Sequence, residues 1–142
     1  MKIRQLPLNS FLFLALLVPL AVSAQMRASD LTNPAPISIP QGVSQSQARQ
    51  AVVNALFSRG WTVMEETDDQ IIADLHVRAH WAQIGIDIED RSVMISYRNS
   101  ENLRYTERSD GRVVIHNNYL SWVNNLVSDI RAQLARAQRE SR

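Results

Sequence analysis

Three histidines carry most of the chemistry this chain can offer, because it contains no cysteine. Asp74, His76, Arg78 and His80 fall at every second position. On one continuous strand such residues share a face and stand close together. Asp74, His76 and His80 are therefore candidate ligands for a divalent metal, since imidazole with carboxylate suits zinc. Such a site needs three or four ligands, and the spacing names two of them, Asp74 and His76, firmly. The plainer reading of the same alternation is a strand with one wetted face.

His116 stands just before the last helical pattern. If the preceding loop folds back onto that helix start, Ser100, Asn102, Tyr105 and His116 make a small polar pocket for a ligand or partner. An imidazole there can accept from a helix N-terminal amide. The competing reading is a structural clasp, in which Asn102 and His116 satisfy backbone groups otherwise buried unpaired. Ser100 beside His116 suggests nucleophilic catalysis, yet no orienting carboxylate or oxyanion loop accompanies them. No residue is therefore assigned a catalytic role. Tyr97, Tyr105 and Tyr119 either line a groove for a peptide or glycan or belong to the core with hydroxyls at its rim. No glycine-rich phosphate loop, no spaced catalytic acid pair and no implied cofactor are found in the sequence.

These residues need elements to hold them. A helix begins at Ser44, where Ser44-x-x-Gln47 reads as a capping box. Ala48, Val52, Ala55 and Leu56 form its apolar stripe. Arg59 complements the dipole, Gly60 supplies the left-handed residue that ends the helix, and Trp61 makes the usual apolar cap contact. Antiparallel strands follow: 61–66, then a second with Ile71, Ala73, Leu75 and Val77 on one face. The apolar phase slips by one near residues 79–81 and continues through Ala82, Ile84, Ile86 and Ile88. A slip of this kind marks a turn or a bulge, and a tight turn is favoured because one strand of eighteen or so residues would be unusually long. Glu89-Asp90-Arg91 is another turn, before Val93, Ile95 and Tyr97. Asp110-Gly111 signals a hairpin pairing 103–107 with 112–115. Asn117 or Asn118 then caps a helix whose stripe is Tyr119, Trp122, Val123, Leu126, Ile130 and Leu134, fraying after Ala135.

The expected fold is α+β and two-layered: an antiparallel sheet of three to four strands, with an N-terminal and a C-terminal helix packed on one face. Trp61 and Trp122 are its expected large anchors. The domain should span 44–138, with 139–142 a frayed tail. Residues 25–43, which hold Pro34, Pro36 and Pro40, read as an exposed arm.

Lys2 and Arg4 precede an apolar run from Phe11 to Val22, and Val22-Ser23-Ala24 is a small-x-small cleavage pattern. The run is too short to span a bilayer, which takes roughly 20 residues. Residues 1–24 thus read as a cleaved signal peptide, with Gln25 the mature start and no membrane anchor afterwards. Without the leader the basic residues are thirteen, all Arg, against fourteen acids, a net charge of −1. No basic stripe for nucleic acid is implied. Export without cysteine leaves burial alone to hold the fold. The Arg131, Arg136, Arg139 and Arg142 run is a solvated helix end rather than a lipid-binding face.

Arg59-Gly60-Trp61, Arg78-x-His80, Ile95-x-Tyr97-x-x-Ser100-x-Asn102-Leu103-x-Tyr105 and Ile115-His116-x-x-Tyr119-x-x-Trp122-x-x-x-Leu126 are specific enough to compare. Over about residues 45–134 the chain resembles a family of small bacterial envelope proteins, periplasmic or lipoprotein-type, of uncharacterised function. The resemblance implies a periplasmic compartment and an α+β fold, and no reaction. The chain departs from the family pattern at Leu120, where the pattern has Asn.

Taken together, these residues lead us to expect an exported, non-enzymatic interaction module. Its partner would be an envelope protein or polymer, met through an open sheet edge or the Ser100–His116 region. The alternative is a small metal-dependent or hydrolytic enzyme using His76, His80 or His116.

Overall fold

The structure, a computed structural model, describes residues 27–89 and 91–142. The proposed leader, the Gln25 start and the middle of the 89–91 turn lie outside them. The order of elements is β1 (Ala28–Asp30), β2 (Ile37–Ser38), α1 (Gln45–Ser58), β3 (Thr62–Glu66), β4 (Gln70–Val77), β5 (His80–Glu89), β6 (Ser92–Glu101), β7 (Thr106–Glu107), β8 (Val113–His116) and α2 (Asn117–Glu140). The fold is α+β with two antiparallel sheets. One is five-stranded in the order β2-β6-β5-β4-β3, and the other three-stranded in the order β1-β8-β7. A single sheet of three to four strands was too few, because the short β1, β2 and β7 carry too little periodicity to read. Among the described residues no helix is long and apolar enough to cross a membrane.

Helix α1 is punctuated as its sequence dictates. The Ser44 hydroxyl accepts from the Gln47 amide while the Gln47 side chain accepts from the Ser44 amide, closing the capping box. At the other end Gly60 has φ +78°, and the amides of Gly60 and Trp61 donate to the carbonyls of Phe57 and Leu56. That pair of bonds is a Schellman cap, and Trp61 is buried against the core just where the chain turns into β3. Arg59 reaches across to α2, where its fork grips the Asp129 carboxylate, one arm at 3.0 Å.

The core lies between the helices and one face of the larger sheet. Ala48, Val52, Ala55 and Leu56 from α1 meet Ile71, Ala73 and Leu75 from β4, and Ala82, Ile84, Ile86 and Ile88 from β5. Tyr119, Val123, Leu126, Ile130 and Leu134 bring in α2. Trp61 is one of the two expected anchors, but Trp122 is only partly buried and lies beside the His80 ring. Tyr119 takes its place, since the α2 stripe faces inward one residue position away from Trp122.

Residues 28–43 are not an exposed arm. Ala28–Asp30 pair with β8, Ile37–Ser38 pair with β6, and Ile37, Ile39 and Val43 are buried. The Arg91 guanidinium, on a residue at φ +66°, donates to the carbonyls of Ile39, Pro40 and Val43 and fastens this segment. Pro34, Pro36 and Pro40 all stand outside the two residues of β2, so they remove no donor from its ladder. Nor does the end of α2 fray: it is helical through Glu140, and Ser141 is held by the Gln47 side chain at 3.1 Å.

Candidate functional site

The phase slip after Val77 is a two-residue turn. Val77 pairs with His80, leaving Arg78 and Ala79 between them, with Arg78 at φ +56°. This turn decides the fate of the metal candidates. His80 stands on the Val77 side of the sheet, whereas Asp74 and His76 stand on the other, because facing residues of paired strands share a side. Asp74 is buried and accepts from the Trp81 indole at 3.0 Å and the Gln83 amide at 2.9 Å. The His76 ring is exposed beside Trp81. Asp74, His76 and His80 therefore do not form one ligand set, and among the described residues no group of three or more His, Asp or Glu side chains is placed to hold a metal ion. Asp74 orients Trp81 and Gln83 instead.

The loop that carries Asn102 folds back as expected, but its polar groups bond within the chain. Asn102 and Arg104 both take left-handed φ, at +57° and +55°, and throw Leu103 between them into the core. The Asn102 side chain donates to the Ala79 carbonyl at 2.6 Å, and the Asn102 carbonyl meets His80 Nδ1 at 2.8 Å. A carbonyl can only accept, so His80 carries its proton on Nδ1. The His116 amide donates to the Leu103 carbonyl, closing the loop from the other side.

His116 itself is the N-cap of α2. Its Nδ1 accepts from the Asn118 amide at 3.1 Å, so the cap lies one residue before Asn117 and two before Asn118, the residues expected to provide it. An amide can only donate, so Nδ1 of His116 is bare and the proton sits on Nε2, whereas His80 carries one on Nδ1. Burial holds the His116 imidazole below the usual histidine value, and Arg104, His80 and Arg27 push the same way. The two imidazole rings lie 6.2 Å apart.

Ser100 and Tyr105 belong to a separate tyrosine cluster. Tyr97 stacks on Tyr105 at 5.2 Å and meets Tyr119 edge-on at 5.5 Å. The Ser100 hydroxyl bonds to the Tyr97 hydroxyl at 2.9 Å, and the Tyr105 hydroxyl donates to Glu107. Burial pushes the Tyr119 phenol well above its usual value. Of the four residues expected to share a pocket, Asn102 and His116 act together in the loop closure. Ser100 and Tyr105 join through Tyr97.

A different region presents an unfilled surface. Phe57, in the last turn of α1, is 85 % exposed, and Met64 on β3 is 55 % exposed. Val53, Phe57, Gly60, Trp61, Thr62 and Val63 line an almost wholly apolar groove of about 420 Å³. It runs beside β3, the last strand of the larger sheet. The signal for it was present in the sequence: Phe57 is a large aromatic next to the Ala48–Leu56 stripe but not on its inward phase.

No protein-family model, curated protein or solved structure matches this chain.

Proposed function

We propose that this chain is an exported, non-enzymatic interaction module of the bacterial envelope, which meets its partner at β3 and the groove beside it. One observation carries the reading: among the described residues the most exposed large apolar side chain, Phe57, borders a groove along a sheet edge. Exposed apolar surface at an open strand edge is a liability unless something covers it. The Ser100–His116 region has the weaker claim, since its polar groups are engaged within the chain. The hydrolytic alternative retains only His80 and His116, with the Ser100 hydroxyl turned to Tyr97.

The test is photocrosslinking in intact cells, with the reactive residue at Phe57 in one strain and at Glu101 in another. A discrete adduct from position 57 and none from 101 is the expected result. Adducts from 101 alone would move the contact to the loop, and none from either position would sink the module reading. Export is checked separately by the intact mass of the mature protein, which should begin at Gln25.

A further inference from the structure

The class of partner can be read from the chemistry around β3. Thr62–Glu66 pair with β4 on one side, in the register Thr62↔Asp74, Val63↔Ala73, Glu65↔Ile72 and Glu66↔Ile71. On the other side β3 is the end of the sheet. Backbone donors and acceptors along such an edge are a template for one more strand. The register shifts between Val63 and Glu65, so Met64 is the extra residue of a bulge. Bulges twist an edge away from indiscriminate pairing. An incoming strand therefore needs an anchor of its own, and the groove between Phe57, Trp61 and Val63 offers a seat for one.

Charge narrows the choice further. Glu65, Glu66, Asp68 and Asp69 follow one another along β3 and its turn, all exposed. Arg49 is the one cation that answers them among the described residues, at 3.7 Å from Glu66 and 3.5 Å from Asp68. Glu65 has no ion pair there. Side chains of an extended strand alternate between faces every second residue. A strand added to β3 would thus send one set of side chains toward the groove and keep the rest along the acidic margin.

Resting on the interaction-module reading, we propose that β3 and the Phe57 groove bind an extended, basic segment of a partner protein, added as a sixth strand to the larger sheet. Apolar side chains of that segment fill the groove on the helix side, and its Lys or Arg side chains lie on the opposite face along Glu65, which pairs with Ile72. A second copy of this edge is a poor substitute, because Thr62–Glu66 has no basic residue to supply.

The probe is a short synthetic peptide of alternating Val and Lys, titrated into the purified mature chain and followed by amide chemical shifts. An alternating Val–Glu peptide is the control. The expected result is movement of the Thr62–Glu66 and Phe57 amides with Val–Lys, and binding about tenfold or more tighter than Val–Glu, or ~1.4 kcal/mol. Phe57→Ala should weaken that binding several-fold while the melting temperature stays put, and added salt should weaken it as well. Equal binding of the two peptides, or no movement along β3 at millimolar Val–Lys, would overturn the proposal. So would β3 shifts that follow protein concentration without peptide, which would report a second copy. A cellular adduct from position 57 alongside a failed Val–Lys titration would overturn the partner class and leave the module reading standing.

Discussion

Around Asn102 the polar groups find partners inside the chain, whereas along β3 the apolar groups are left facing outward. Asn102, His80 and His116 tie the Arg78–Ala79 turn, the Leu103 loop and the start of α2 to one another by hydrogen bonds. Phe57 and Met64 have no comparable role, being exposed beside a groove. Residue types alone point to the histidines and serine as the working site. The difference shows that a polar residue in a loop can be spent on closing the loop rather than on binding. Single exposed apolar residues are ordinary, and it is the contiguous groove beside Phe57 that is informative.

The sharpest way to break this contrast is to unseat the loop. Leu103→Ala should cost about 2–5 kcal/mol, as buried leucine truncations do, read as a lowered urea midpoint. A midpoint within error of wild type would mean that the loop is not anchored in the core. Asn102→Ala should cost about 1 kcal/mol for the lost hydrogen bond, plus strain from alanine at left-handed φ. Asn102→Gly removes the bond but relieves the backbone, so it should be the milder of the two. A glycine variant worse than the alanine variant would contradict the left-handed assignment.

The His116 cap gives a pH signature. Its imidazole is held below the ordinary value of 6.5 in the folded chain. Between the folded and unfolded values the unfolded chain binds more protons, so stability rises with pH there. The His116 contribution is thus whole above about pH 6.5 and is lost as pH falls toward and through the folded value. His116→Asn keeps a capping side chain and removes the titration, so denaturation of this variant should depend less steeply on pH between neutral and mildly acid. Identical slopes would mean that His116 does not cap as a neutral ring. The smallest effect belongs to the other region: Phe57→Ala should change stability by no more than about 0.5 kcal/mol, as exposed substitutions do. A cost several times larger would make Phe57 a structural residue and remove the contrast.

Much of the fold was legible because its signals are local. Ser44, Gln47, Gly60 and Trp61 punctuate α1 by hydrogen bonds between near neighbours. The alternation through Ile71–Val77 and Ala82–Ile88 sets which face of each strand is buried, and the slip between them placed the Arg78–Ala79 turn. The Asp110–Gly111 hairpin pairs Thr106 with Val114, inside the range its turn residues indicated.

Other features were decided only by distant parts of the chain coming together. The segment at 28–43 joins both sheets through strands of two and three residues, too short to show a period, and Arg91 secures it from about fifty residues away. His80 met Asn102 and His116 from other elements. The sequence by itself determined the two helices and the longer strands and which side of each is apolar, since these follow from local dihedral preference and periodic burial. Which polar side chains are engaged within the chain depended on long-range packing that no local pattern encodes.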